Sequence, residues 1–196
     1  MTVVPVGIDP GLGETGAVIL DENLNVLASA TWTAPKGATD LQRCVSLAGT
    51  VAAWVFQNLP GGNAPVKIGL ETPVFTHSAG NFAKQWRLLS LLEAHLWTEA
   101  RKLKREVVLV EVGPTESKRA LTGHGNADKD DMVNYGPFTD APDMKRETKE
   151  ALSDAYAHGI APLKEYGQVL VRLDTLVPIR VKPLYERKEA DANLAD

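Results

Sequence analysis

An α/β fold on a mixed five-stranded sheet, three antiparallel strands followed by parallel ones and flanked by helices, is what this sequence predicts. Three observations carry the prediction. The first strands are short β-branched runs joined by tight turns, later strands alternate with amphipathic helices, and the order of elements therefore reads βββαβαβαα. The chain has 196 residues, enough for one domain, 1–196, with a buried core, and short for two.

Residues 3–8 are apolar and β-branched and stop at Asp9-Pro10-Gly11, a strand running into a turn. Two further strands, 16–20 and 25–32, are joined through Asp21-Glu22-Asn23-Leu24 as an antiparallel hairpin. Asp40 caps a helix in which Leu41, Val45, Ala48, Ala52 and Val55 recur at three- and four-residue spacing, and Leu59-Pro60-Gly61-Gly62 ends it. The fourth strand is 66–70, closed by Glu71-Thr72-Pro73. A long amphipathic helix follows over 82–105, with Phe82, Trp86, Leu89, Leu92 and Leu96 on one stripe. The fifth strand is 106–112, a short helix begins near Thr115, a last helix covers 145–160, and 168–181 reads as a closing hairpin. Residues 123–146, rich in Gly, Asp, Asn and Pro, read as the most mobile stretch.

Composition excludes several classes. The single cysteine, Cys44, cannot close an internal disulfide. No apolar run approaches the roughly 20 residues of a membrane helix, and the N-terminus lacks the form of a signal peptide. Cytoplasm is the expected compartment, with no membrane partner. A net charge of −4 is not that of a generically basic DNA-binding protein. Residues 84–119 nevertheless hold eight basic against five acidic side chains, so this segment carries +3 and the remainder −7. Such a segment can hold a phosphate backbone, or it can be a set of solvated helix faces.

Right-handed crossovers set the first, fourth and fifth strands side by side, which brings Asp9 and Glu71 to one edge of the sheet. Each alone is as readily a turn-former or cap. Together they repel unless a cation lies between them, and Mg2+ is the ordinary partner of oxygen-only ligands. On the last helix Glu147, Glu150, Asp154 and His158 fall within an arc of about 80°. That arc is either a solvated acidic face or a further contribution to the same cleft. The surroundings of Asp154, Ala-Leu-Ser-Asp-Ala-Tyr-Ala, favour the cleft. Three or four carboxylates meeting there make a two-metal phosphodiesterase site. His158, one turn beyond Asp154, orients the attacking water, supports the metal ligands from behind, or lies at the surface.

These residues carry a family resemblance. Gly7-Ile8-Asp9-Pro10-Gly11-Leu12-Gly13-Glu14-Thr15-Gly16 resembles the opening motif of RuvC-type Holliday junction resolvases. Ile68-Gly69-Leu70-Glu71-Thr72-Pro73-Val74-Phe75 is similar to the second motif, and Ser117-Lys118-Arg119 through Asp128-Lys129 to the lysine-bearing third. Residues 150–161 resemble the closing acidic helix. The set runs in family order over residues 5 to 161. The resemblance implies a ribonuclease H-like fold, a homodimer acting on branched DNA such as a four-way junction, and Mg2+-dependent nicking with two ions per site, Mn2+ being an alternative. It assigns Asp9, Glu71, Glu150 and Asp154 to the metals, and Lys118 and Lys129 to the scissile phosphate. Phe75 falls near the residue that wedges between junction bases, although a core role fits it too. Lys84, Arg87 and Arg119 join the lysines as candidate DNA contacts.

Departures mark a divergent member, phage-encoded on one reading and then resident in a bacterial host's cytoplasm. The family closes with two Asp three residues apart. Here either Glu150 with Asp154 or Glu147 with Glu150 takes those places, and the first pair is preferred because four-residue spacing keeps both on one face. The long helix is either one more core helix or a dimer seam carrying Trp86 and Trp97. Two other classes compete: a non-catalytic DNA-binding relative, which would not bind Mg2+, and a small actin-like ATP-binding protein, which nucleotide would stabilise.

Overall fold

The structure, a computed structural model, describes residues 3–75 and 78–172. Its strands are β1 (Val4–Asp9), β2 (Thr15–Leu20), β3 (Val26–Trp32), β4 (Val66–Glu71), β5 (Val107–Val112) and β6 (Gln168–Arg172). Its helices are α1 (Asp40–Asn58), α2 (Ala79–Lys102), α3 (Pro114–Thr122), α4 (Lys129–Tyr135) and α5 (Arg146–Ile160). The sheet order is β3-β2-β1-β4-β5-β6. β1 pairs antiparallel with β2 and parallel with β4, and β4 pairs parallel with β5, so the mixed sheet is the one expected. A sixth strand adds to it: β6 pairs antiparallel with β5. The second half of the expected hairpin, 173–181, lies outside the described residues, as does most of the tail at 167–196.

Helices cover both faces. α1 and α2 pack on the side of Val6, Ile8, Ile68, Leu70, Val107 and Leu109, through Leu47, Val51, Val55, Leu89, Leu92 and Leu96. α5 covers the other face, where Leu152, Ala155 and Ile160 meet Val18, Leu20, Val110 and Val112. α5 sits unusually low. Gly7 and Gly69 are register partners across β1 and β4, and Gly16 is the partner of Asp9 across β1 and β2. A Cβ on Gly7 would overlap the Ala155 carbonyl, one on Gly69 the His158 carbonyl, and one on Gly16 the Ala151 carbonyl. Three adjacent strands thus offer a side-chain-free groove, and the helix backbone lies in it.

Local chemistry explains two differences from the expected elements. Thr39, not Asp40, caps α1: its Oγ1 accepts from the Gln42 amide at 3.3 Å while the Gln42 Oε1 accepts from the Thr39 amide at 3.0 Å. Asp40 is left to pair with Lys84 of α2 at 3.1 Å. The second difference is α4, which forms within the stretch 123–146. Asp128 caps α4 by accepting from the Asp131 amide at 2.9 Å, and Met132 buries beside Ala127 and Ala157. Beyond α4, Phe138 is buried and the Thr139 carbonyl accepts from Lys149 Nζ at 2.8 Å.

Candidate active site

β1 and β4 are parallel neighbours, and Asp9 and Glu71 close them on the α5 side of the sheet. α5 runs over the same strand ends and brings His158 with it. One oxygen of Asp9, one of Glu71 and a ring nitrogen of His158 all lie within 4.8 Å of one another. Asp154, one helical turn before His158, adds its charge to both acids. Burial, then the charges of Glu71 and Asp154, push the Asp9 carboxyl well above the usual carboxylate range. Burial and the Glu71 charge raise Asp154 to about 6. Carboxyls this close hold either a proton or a cation between them.

The cluster is braced from outside. The loop after Asp9 is closed by the buried Thr15, whose Oγ1 donates to the Gly11 carbonyl at 2.7 Å and accepts from the Gly11 amide at 3.1 Å. Glu14, in the same loop, accepts from Thr148 Oγ1 of α5 at 3.1 Å. Glu150, a candidate metal ligand from sequence, lies outside the three-residue group. Its two oxygens accept from Lys129 Nζ at 2.6 Å and Arg146 Nε at 2.9 Å, which holds its carboxyl below the usual range. Lys129 in turn is pushed up by its bond to Glu150 and by the charges of Glu150, Asp154 and Asp9. The lysine therefore stands at the rim with the acids in front of it. Lys118, on α3, is close enough for its charge to lower Asp154. Glu147 is exposed on the first turn of α5, away from these contacts.

His158 is 2% exposed, which removes the surface role. Its Nδ1 has no hydrogen-bond partner, and burial holds the imidazole below its ordinary pKa despite the opposing charge of Glu71. The helical arc placed His158 beside Asp154. Nothing in that arc revealed its depth, which depends on the glycine groove under the helix. A buried imidazole with one nitrogen near two crowded carboxyls and its Nδ1 unpartnered is a donor set that fits a divalent cation.

The remaining candidates lie outside the three-residue group. Phe75 is 60% exposed, so it is no core residue. Its ring meets Phe82 edge-on at 5.5 Å, and Phe82 meets Trp86 at 6.1 Å, a row of aromatics that runs along the start of α2 to Trp86, which packs on the core. Arg87 and Arg119 are exposed, and Lys84 shares its charge with Asp40. A cleft beside Glu71 is lined by Pro10, Glu71, Pro73, Val74, Gln85 and Pro114.

A mixed sheet with acidic side chains at the ends of two parallel neighbours, crossed by a helix bearing a third, gives this chain a ribonuclease H-like fold. Thermus thermophilus RuvC has this fold: its structure superposes with a TM-score of 0.56 at 18% identity, over 87% of this chain and 100% of that one. T. thermophilus RuvC in complex with Holliday junction substrate superposes at 0.61 and 21% identity, over 87% of this chain and 99% of that one. The chain thus shares the fold of RuvC. No protein-family profile matches the chain, and no curated protein matches its sequence. No helix among the described residues is long and apolar enough to cross a membrane.

Proposed function

We propose that this chain is a divalent-metal-dependent endonuclease that resolves four-way junctions or related branched DNA by paired nicks, working as a homodimer within one ribonuclease H-like domain in the cytoplasm. The observation that carries the reading is the convergence of Asp9, Glu71 and Asp154 at one sheet edge with Lys129 and Lys118 facing them. Asp9, Glu71 and Asp154 would hold the Mg2+ ions. Two such ions, when bound, acidify the attacking water and offset charge on the leaving oxygen.

The chain's own residues do the rest. Lys129 and Lys118 stabilise charge that grows on the scissile phosphate. Glu150 enters as the anchor of Lys129, since both its oxygens are already committed to cations. Partial burial beneath α5 strengthens each charge interaction among the carboxylates. Phe75, Arg87, Arg119 and Lys84 supply the surface that receives DNA, the aromatic by stacking and the cations by phosphate contact. Two copies joined along α2 present two sites to a two-fold symmetric substrate.

The test is incubation of a labelled four-way junction and a matched linear duplex with Mg2+ or EDTA, beside Asp9→Asn. Paired nicks in the junction alone, dependent on Mg2+ and lost in the variant, are expected. Equal cutting of the duplex points to a general nuclease. Binding without cutting points to a non-catalytic relative.

A further inference from the structure

We propose that His158 is itself a metal ligand of this chain and that its imidazole tilts the site toward Mn2+ over Mg2+. The inference deepens the metal-dependent reading above and rests on it. Four features of the structure meet at this one side chain. His158 is 2% exposed, its Nδ1 is buried without a hydrogen-bond partner, a ring nitrogen lies within 4.8 Å of oxygens of both Asp9 and Glu71, and its helix is seated in a groove of glycines that fixes its depth.

A neutral imidazole carries one donor and one acceptor, and a buried one normally satisfies both. Here the polar ring is held at full burial although leucine or isoleucine would fill the same space with no orphaned nitrogen. The groups it faces are acceptors, so the ring has only two useful roles: donating one N–H to a carboxylate, or lending a lone pair to an ion shared with it. The three ligand atoms come from β1, β4 and α5, three elements locked together by backbone contact, so the set is preorganised.

Ligand type then decides the ion. Mg2+ is hard, selects oxygen and dehydrates reluctantly. An imidazole nitrogen binds first-row transition ions more readily than it binds Mg2+, and Mn2+ is one of them that also accepts carboxylate and water. All-carboxylate sites already favour Mn2+ somewhat. The specific expectation is therefore a Mn2+ over Mg2+ preference that shrinks when the nitrogen is removed.

The full chain is titrated calorimetrically with MnCl2 and with MgCl2, and the Mn2+-loaded protein is examined by pulsed EPR for coupling to nitrogen-14. His158→Phe, which keeps the ring volume, and His158→Gln, which keeps a polar group, are compared with wild type and with Asp9→Asn after circular dichroism shows equal folding. Expected are a nitrogen coupling in wild type that both His158 variants lose, and a fall in Mn2+ affinity of at least about tenfold against less than about threefold for Mg2+. Mn2+ binding that needs Asp9 but shows no nitrogen coupling overturns the role of His158 and leaves the metal-dependent reading standing. So does a coupling that survives both substitutions. Failure of wild type to bind either ion overturns both. Absence of the coupling from the wild-type spectrum overturns the role of His158 even where a variant does not fold.

Discussion

Gly7 and Gly159 meet backbone to backbone: a Cβ on Gly159 would stand 3.1 Å from the Gly7 nitrogen, and one on Gly7 would overlap the Gly159 nitrogen and the Ala155 carbonyl. This contact sets how close α5 comes to β1, and so how close Asp154 and His158 come to Asp9. Gly7→Ala is expected to destabilise the protein by about 3 kcal/mol or more, because only backbone can yield. Urea unfolding followed by circular dichroism measures it. A loss below about 1 kcal/mol would show that the helix is free to ride up.

Asp9→Asn removes one of three mutually repelling carboxyls. Cleavage should fall by more than about 100-fold while junction affinity stays within roughly threefold. The metal-free variant should also be the more stable protein, by about 1 kcal/mol or roughly 3 °C in Tm. Scanning calorimetry in EDTA distinguishes this from a merely damaged site, which would melt earlier.

Glu150 and Lys129 are argued to act together. Lys129→Met should lower cleavage roughly 100-fold. Glu150→Gln should lower kcat about tenfold with junction Kd unchanged, and Glu150→Asp should recover part of the loss by keeping a charged partner. If Glu150→Gln instead weakened Mg2+ binding as strongly as Asp9→Asn does, Glu150 would be a metal ligand and not an anchor.

A further perturbed acid lies away from the site. Glu93 of α2 has a buried Oε1 without a partner, and burial followed by the charge of Glu111 lifts its carboxyl to about 7. The folded state therefore holds more protons than the unfolded chain between pH 4.5 and about 7, and stability falls as pH rises through that window. Glu93→Gln should remove about 1–3 kcal/mol of that decline. Thermal melts of wild type and variant in EDTA from pH 5 to 8 give the difference curve, which a constant offset would contradict.

Much of this arrangement is legible in the residues. Two β-branched runs that stop at Asp9 and Glu71, joined by right-handed crossovers, put both acids at one edge without reference to any structure. Helical spacing placed Asp154 and His158 on the same side of α5. What periodicity could not convey is depth. Gly7, Gly69 and Gly16 contribute no side chain, so their effect on α5 is invisible until register aligns them. α4 was missed because seven residues, Lys129–Tyr135, with one buried apolar side chain leave no helical stripe to detect. The capping pair Asp128 and Asp131 was the available sign. The partners of Glu150 were hidden for a related reason: Lys129 reaches it across 21 positions of chain.

β6 has a consequence for the behaviour of the protein as a colloid. Without it, β5 would present a row of unpaired amides and carbonyls along an apolar strand, a template for any other extended chain. Pairing from Gln168 to Arg172 uses up those groups. A chain shortened to end at Gly167 would keep its carboxylates and its helices yet carry a sticky border, and it should self-associate in light scattering at concentrations where the full chain stays dispersed. In this fold the last described strand acts as a selvedge, finishing the cloth so that it does not knit itself to its neighbours.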